Sequence, residues 1–174
     1  YPAHTTIITG RLPRDHGIVD NTLLQPERES PDWYWYREHI QGPTLYDLAI
    51  DRGMTVAALM WPVTAKARIQ YNLPEIFANR PWQNQLVVSL LNGSPWYQLA
   101  LALKYGYVFF KCLPKMELQP HLDDFTHKSL LYTLKRKRPD LTLVHYTDLD
   151  SMRHYHGVDS PEARAALRRH DARL

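Results

Sequence analysis

Two short runs of apolar and β-branched residues constrain the fold of this chain more than any other feature of its sequence. Residues 55–60 and 141–146 each have the length and composition of a strand that is buried on both faces. The β-branched run at residues 5–9, which ends at Gly10, predicts a third strand. Because helix-forming segments separate these runs, the sequence indicates an α/β domain with a mostly parallel sheet flanked by helices.

Caps and prolines mark the predicted helices. Thr44 is a typical N-cap for the apolar-periodic segment that follows it. Ser160 and Pro161 begin a last helix in the same way. Further helices are predicted near residues 84–91, 95–105 and 122–138, with loops over residues 11–21, 22–43 and 64–84.

Length and composition fit one globular domain. The chain has 174 residues, of which 44% are hydrophobic and 22% are charged, and these values exclude wholesale disorder and a fibrous repeat. Its longest apolar runs are too short to cross a bilayer. We expect a single partial domain over residues 1–174, in which residues 81–120 form a helical insertion. Tyr1 is preceded by neither an initiator methionine nor a signal peptide, so the sequence predicts no compartment.

Cysteine count and charge narrow the chemistry. Cys112 is the only cysteine, which excludes an internal disulfide and a multi-cysteine zinc site, and we expect it to be structural. The net charge of +3 suits an anionic ligand without demonstrating one. The basic run at residues 135–138 lies at a predicted helix end, where cations are favoured, and it lacks interleaved aromatics. The sequence therefore predicts no specific nucleic-acid binding.

The segment after the last buried run carries the sharpest chemical signal. Asp150 and His154 are four residues apart, so one helical turn would place an oxygen and a nitrogen ligand on the same side. This donor pair suits zinc, and also manganese or iron, whereas an Asp–His ion pair is the structural alternative. Asp148 and His156 are candidates to orient these ligands, with a strand-end cap and a solvated histidine as their alternatives.

The opening segment carries a second signal. It holds His4 and His16, either packed or solvated, and it ends at Asn21. An asparagine in such a loop often tolerates a left-handed backbone. Its amide can also donate hydrogen bonds to an anionic oxygen.

Together these two stretches resemble the type I phosphodiesterase and nucleotide pyrophosphatase family of the alkaline phosphatase superfamily. The family's opening motif is matched at residues 1–4, 7–10 and 15–21. Its metal motif, Asp-x-x-x-His-x-x-Gly, is matched by Asp150, His154 and Gly157. A Trp-Pro pair of the family is matched at residues 61–62. Ala3 stands where the family has asparagine, and residues 81–120 match loosely.

The resemblance implies a partial alkaline-phosphatase-like catalytic domain with two divalent metal ions, zinc above all. Asp150 and His154 would bind one ion of the pair. Asn21 would hold an oxygen of the scissile phosphate. Tyr1 would flank the leaving nucleotide, and His145 occupies a position near the base pocket where the family often has tyrosine.

The implied activity is hydrolysis of phosphodiester or pyrophosphate bonds in nucleotide-type substrates through a covalent threonine-phosphoryl intermediate. The threonine is expected immediately before Tyr1, and the remaining metal ligands are also absent from the chain, so we expect the isolated chain to be inactive. Alternatives are a phosphomonoester, phosphonate or phospholipid hydrolase on the same scaffold, or a non-catalytic phosphate-binding or interaction domain. Exposed sheet edges in such a partial domain further predict a homo-oligomer.

Overall fold

Three short parallel strands form the sheet, in the order β2-β1-β3. They are β1 (Val56–Leu59), β2 (Tyr71–Leu73) and β3 (Leu141–Val144). In the register, Ala57 of β1 lies opposite Tyr71 of β2 and Thr142 of β3. All four residues of β1 are buried, which explains its continuous apolar run. The predicted α/β class with parallel strands is confirmed.

The coordinates are a computed structural model, which describes the backbone of residues 1–112 and 118–174 and the side chains of residues 1–110 and 118–174. The expectation that Cys112 is structural therefore lies outside the described side chains. Backbone contacts divide the chain into two units. The first unit comprises residues 1–99 and 138–144, and the second comprises residues 100–137 and 145–174. The predicted helical insertion over residues 81–120 stays a prediction.

The first unit contains the sheet and most of the short helices. These are α1 (Pro2–Thr9), α2 (Pro13–His16), a 3₁₀ helix (Arg37–His39), α3 (Leu45–Asp51), α4 (Gln85–Asn92) and the first turn of α5 (Pro95–Tyr105). Helices α3, α4 and α5 lie where caps and prolines predicted them. Strand β2 falls within the predicted loop over residues 64–84, and its three residues are too few to show a strand periodicity.

The strand predicted at residues 5–9 is wrong, because this segment belongs to α1. Pro2 begins the helix with its fixed φ. Gly10 ends it in the left-handed region at φ 66°, where its N–H donates to the Thr6 carbonyl. The helix buries Thr5 and Ile8, which are three residues apart. Burial of this face outweighs the helix penalty of β-branched residues, which is only a few tenths of a kcal/mol each.

The core of the first unit packs α1 and α3 with the sheet residues. Its buried members include Ile8, Tyr46, Val56 and Val63. Helix α3 begins with a capping box, in which the Thr44 side chain and the Asp47 side chain each accept the other residue's backbone N–H. The predicted N-cap at Thr44 is therefore confirmed.

The regular structure described in the second unit is all helical. It contains the end of α5, a 3₁₀ helix (Gly106–Cys112), α6 (His121–Arg136), α7 (Asp148–His156) and α8 (Pro161–Arg173). Ser160 caps α8 by accepting the N–H of Ala163 at 3.1 Å, as the sequence predicted. Among the described residues, none of the helices has both the length and the apolar character needed to span a membrane.

Candidate functional site

Helix α7 presents a carboxylate and an imidazole side by side on an exposed surface. His154 Nε2 lies 3.6 Å from Asp150 Oδ1, and the two side chains are 77% and 73% exposed. Two ligands of one tetrahedral zinc ion, each about 2.0–2.1 Å from the metal, are separated by roughly 3.4 Å. The observed spacing therefore fits two ligands of one ion. The same spacing also fits an ordinary i,i+4 ion pair on an exposed helix surface, which would add little to stability.

The other candidates near α7 have different surroundings. His156 is the last residue of α7 and is exposed, whereas His145 follows β3 in the chain and is half-buried. Asp148 is completely buried, and its carboxylate forms a bidentate ion pair with the Arg169 guanidinium, at 2.7 and 2.9 Å. The proposed ligand-orienting roles of His156 and Asp148 stay predictions.

A buried cluster of charged residues joins the three helices α6, α7 and α8. Ligand atoms of Asp123, Asp148 and His170 lie within 4.8 Å of one another. Arg173 Nη1 is 3.8 Å from Oδ2 of both aspartates, and Arg169 pairs with Asp148. Because two guanidinium groups already supply positive charge here, the cluster does not fit a further metal cation.

Of the residues in this cluster, only Asp148 was predicted from the sequence as a candidate. Asp123 lies 25 residues before Asp148, while Arg169 follows it by 21 residues. Neither spacing matches a local motif, and only the fold of the second unit brings these side chains together. The acidic residues in the first turn of α6 and the basic residues in the last turn of α8 were the sequence features that could have indicated this charged cluster.

The Asn21 side chain lies beside the N-terminus of α1 in the first unit. The backbone nitrogen of Tyr1 donates to Asn21 Oδ1 at 2.6 Å, and the Tyr1 carbonyl accepts the N–H of Thr5. The exposed Asn21 side chain is therefore beside the positive end of the α1 dipole. A helix N-terminus of this kind favours phosphate, and an amide donor adds to that preference.

Buried His16 fixes the loop that carries Asn21. The N–H of Ile18 donates to His16 Nδ1 at 3.2 Å. With Nδ1 an acceptor, the hydrogen-bond network assigns the proton to Nε2, which donates to Thr6 Oγ1 at 3.1 Å. Burial lowers the pKa of His16, which keeps the ring neutral. His16 therefore ties the Asn21 loop to α1.

Tyr1 packs among aromatic side chains of the first unit. Its ring meets Trp33 edge-on, with centroids 5.3 Å apart. Burial raises the pKa of the Tyr1 phenol, and the Glu75 carboxylate raises it further. The predicted stacking of Tyr1 on a nucleobase stays a prediction.

The structure thus brings the predicted residues together as two pairs. Asn21 and Tyr1 form one pair in the first unit, and Asp150 and His154 form the other in the second unit. The anion-binding role of Asn21 and the metal-binding role of Asp150 and His154 stay predictions.

Comparison with known families gives a match that spans the whole chain. The family model described as type I phosphodiesterase / nucleotide pyrophosphatase matches residues 1–174. The chain belongs to this family, which confirms the resemblance based on its motifs.

Individual relatives have names related to that of the family. Human ectonucleotide pyrophosphatase/phosphodiesterase family member 1 is 27% identical over 98% of this chain and 15% of its own length. Bovine family member 3 is 31% identical over 44% of this chain and 9% of its own length. The solved structure of human ectonucleotide pyrophosphatase/phosphodiesterase 5 is 18% identical, with a TM-score of 0.48, over 99% of this chain and 41% of that structure. The chain therefore spans only a small part of these curated relatives.

Proposed function

We propose that this chain is part of the catalytic domain of a divalent-cation-dependent hydrolase that cleaves phosphodiester or pyrophosphate bonds in nucleotide-type substrates. Its membership of the type I phosphodiesterase family supports the reaction class. The 3.6 Å spacing of the Asp150 carboxylate and the His154 imidazole is the observation that carries the proposal.

Asp150 and His154 are the residues of this chain that would hold one of two divalent ions. Their exposed oxygen and nitrogen donors fit zinc, and the four-residue spacing on α7 presents both to one point. When bound, such an ion polarises a phosphoryl oxygen and stabilises the negative charge that develops on it.

The task of Asn21 is to hold a non-bridging oxygen of the scissile phosphate. Its Oδ1 accepts from the Tyr1 nitrogen, so the Nδ2 end of the amide carries the donors for the anion. Hydrogen bonds of this kind strengthen as negative charge grows on the oxygen, and they therefore favour the transition state.

The proposed nucleophile is a threonine immediately before Tyr1. A residue bonded to the Tyr1 nitrogen would lie close to Asn21, whose Oδ1 is 2.6 Å from that nitrogen. Its hydroxyl would attack phosphorus while the bond to the leaving oxygen breaks, and water would then hydrolyse the threonine-phosphoryl ester. Tyr1 and His145 are proposed to contact the nucleotide part of the substrate.

The activity test uses the natural protein that contains this chain, loaded with zinc. We expect a kcat/KM for the nitrophenyl ester of thymidine monophosphate at least about tenfold above that for nitrophenyl phosphate. Higher activity on the phosphomonoester would support the alternative chemistry on the same scaffold. Hydrolysis of neither compound would contradict the proposed function.

Site variants make the same assay specific. Asn21→Ala is expected to lower kcat by about 10²–10³, the usual loss for an oxyanion donor. Asp150→Asn is expected to lower activity and to raise the zinc concentration required. Asp159→Asn, an exposed aspartate beyond α7, is the matched control and should retain activity.

A further inference from the structure

The buried charges of the second unit converge on the first turn of α7. Helix α7 has no cap from its own N-cap residue, Thr147. Instead, Asp123 of α6 accepts the N–H of Thr147 at 2.9 Å and the N–H of Asp148 at 3.0 Å. Asp123 is only 1% exposed, so a buried carboxylate from another helix performs the capping.

Helix α8 holds the same turn from another side. The Arg169 guanidinium binds both oxygens of Asp148, the first residue of α7. A bidentate pair fixes orientation as well as distance, because two parallel hydrogen bonds must be satisfied together. Arg173 completes the arrangement by donating to Asp124 of α6 at 2.8 Å.

Helical geometry links this buried turn to the exposed pair. Each residue advances about 100° around a helix, so Asp150 is about 200° and His154 about 240° from Asp148. The two candidate ligands therefore share one face, on the side of α7 opposite Asp148. Rotation of α7 that released Asp148 from Arg169 would turn both ligands with it.

We propose that Asp123, Asp148 and Arg169 form a positioning cluster that sets the rotation and the first turn of α7. Through the helix, the cluster directs Asp150 and His154 toward one cation. The inference rests on the proposed function, because it assigns the cluster a task in the same metal site. Asp123 and Arg169 are positioning residues, and neither contacts the substrate.

The cluster has the composition expected of such a support. Its two aspartates face Arg169 and the neighbouring Arg173, so the buried negative charges are compensated. Breaking one buried pair leaves an uncompensated charge, which makes alternative rotations of α7 costly. Support residues behind metal ligands commonly change metal affinity by about 10–100-fold when they are replaced.

The test measures zinc binding to the natural protein that contains this chain, through the imidazole nitrogen resonances of His154. Arg169→Lys keeps the charge but removes the bidentate geometry, and we expect it to weaken zinc binding at least about tenfold. Arg168→Lys, on the exposed neighbouring position of α8, is the matched control and should bind zinc as the wild type does. Thermal unfolding of each variant monitors stability separately.

A double variant separates positioning from general destabilisation. If the cluster acts by directing the face of α7 that carries Asp150, Arg169→Lys should have little further effect once Asp150→Asn is present. An equal loss of zinc affinity in both backgrounds would overturn the inference. Wild-type zinc affinity in Arg169→Lys would also overturn it.

Three further outcomes are distinguishable. Unchanged zinc binding in Asp150→Asn would refute the metal site of the proposed function itself. If Arg169→Lys does not fold, Asp123→Asn replaces it, with the same expected loss of zinc affinity. If both variants unfold, the cluster supports the whole unit and not one helix, and the positioning inference is wrong.

Discussion

Replacement of His16 by phenylalanine tests the connection between α1 and the Asn21 loop. The ring of His16 is fully buried and forms hydrogen bonds with Ile18 and Thr6. Phenylalanine fills a similar space but leaves a buried backbone N–H without its acceptor, which costs about 1–3 kcal/mol. With the Thr6 bond also lost, we expect a total destabilisation of about 2–4 kcal/mol.

Thermal and chemical unfolding of the full chain measure this cost. For a chain of this size, each kcal/mol lowers the Tm by about 2–4 °C, so we expect a decrease of about 4–16 °C. Arg14→Gln is the control, because Arg14 belongs to α2 but its side chain is exposed. A His16→Phe variant as stable as the wild type would refute the assigned hydrogen bonds.

The pH dependence gives the same prediction a second readout. Because burial lowers the pKa of His16 in the folded state, the unfolded chain binds the proton more readily. The stability that neutral His16 contributes is present above the unfolded pKa of about 6.5 and decreases as the pH falls through the folded pKa. His16→Phe should therefore have a shallower loss of stability between pH 7 and pH 5.

Three other predictions concern stability and assembly. Thr44→Ala should lower the free energy of unfolding by about 0.5–2 kcal/mol in urea titration, because it removes the α3 cap, and no change would exclude the capping box. A Cβ at Gly93 would lie 2.6 Å from the Asn72 carbonyl oxygen, so Gly93→Ala should lower the Tm, whereas Gly106→Ala has open space and should not. Light scattering tests the predicted homo-oligomer, and a monomer would contradict it.

The sequence contains enough local information to predict several elements. The continuous apolar runs identified β1 and β3. Strand β1 is buried along its whole length, as expected for a central parallel strand, whereas only Leu143 of β3 is fully buried. Caps identified α3 and α8 because a helix end must satisfy its own backbone groups. These features depend on residues within a few positions of one another.

Elements decided by long-range packing were not predictable in this way. The β-branched residues of α1 favour a strand locally, but burial of Thr5 and Ile8 stabilises the helix. The same limit applies to the site. Asp150 and His154 were recognisable by their spacing, whereas the support of α7 by Asp123 and Arg169 depends on three helices meeting.

Metal content tests the central claim most directly. The natural protein that contains this chain would be purified from zinc-supplemented medium, and its bound zinc counted by mass spectrometry. The account predicts about two zinc ions per wild-type chain and about one or fewer in Asp150→Asn and His154→Ala, with Asp159→Asn unchanged. Equal zinc content in the wild type and both site variants would contradict the assignment of these residues to a metal site.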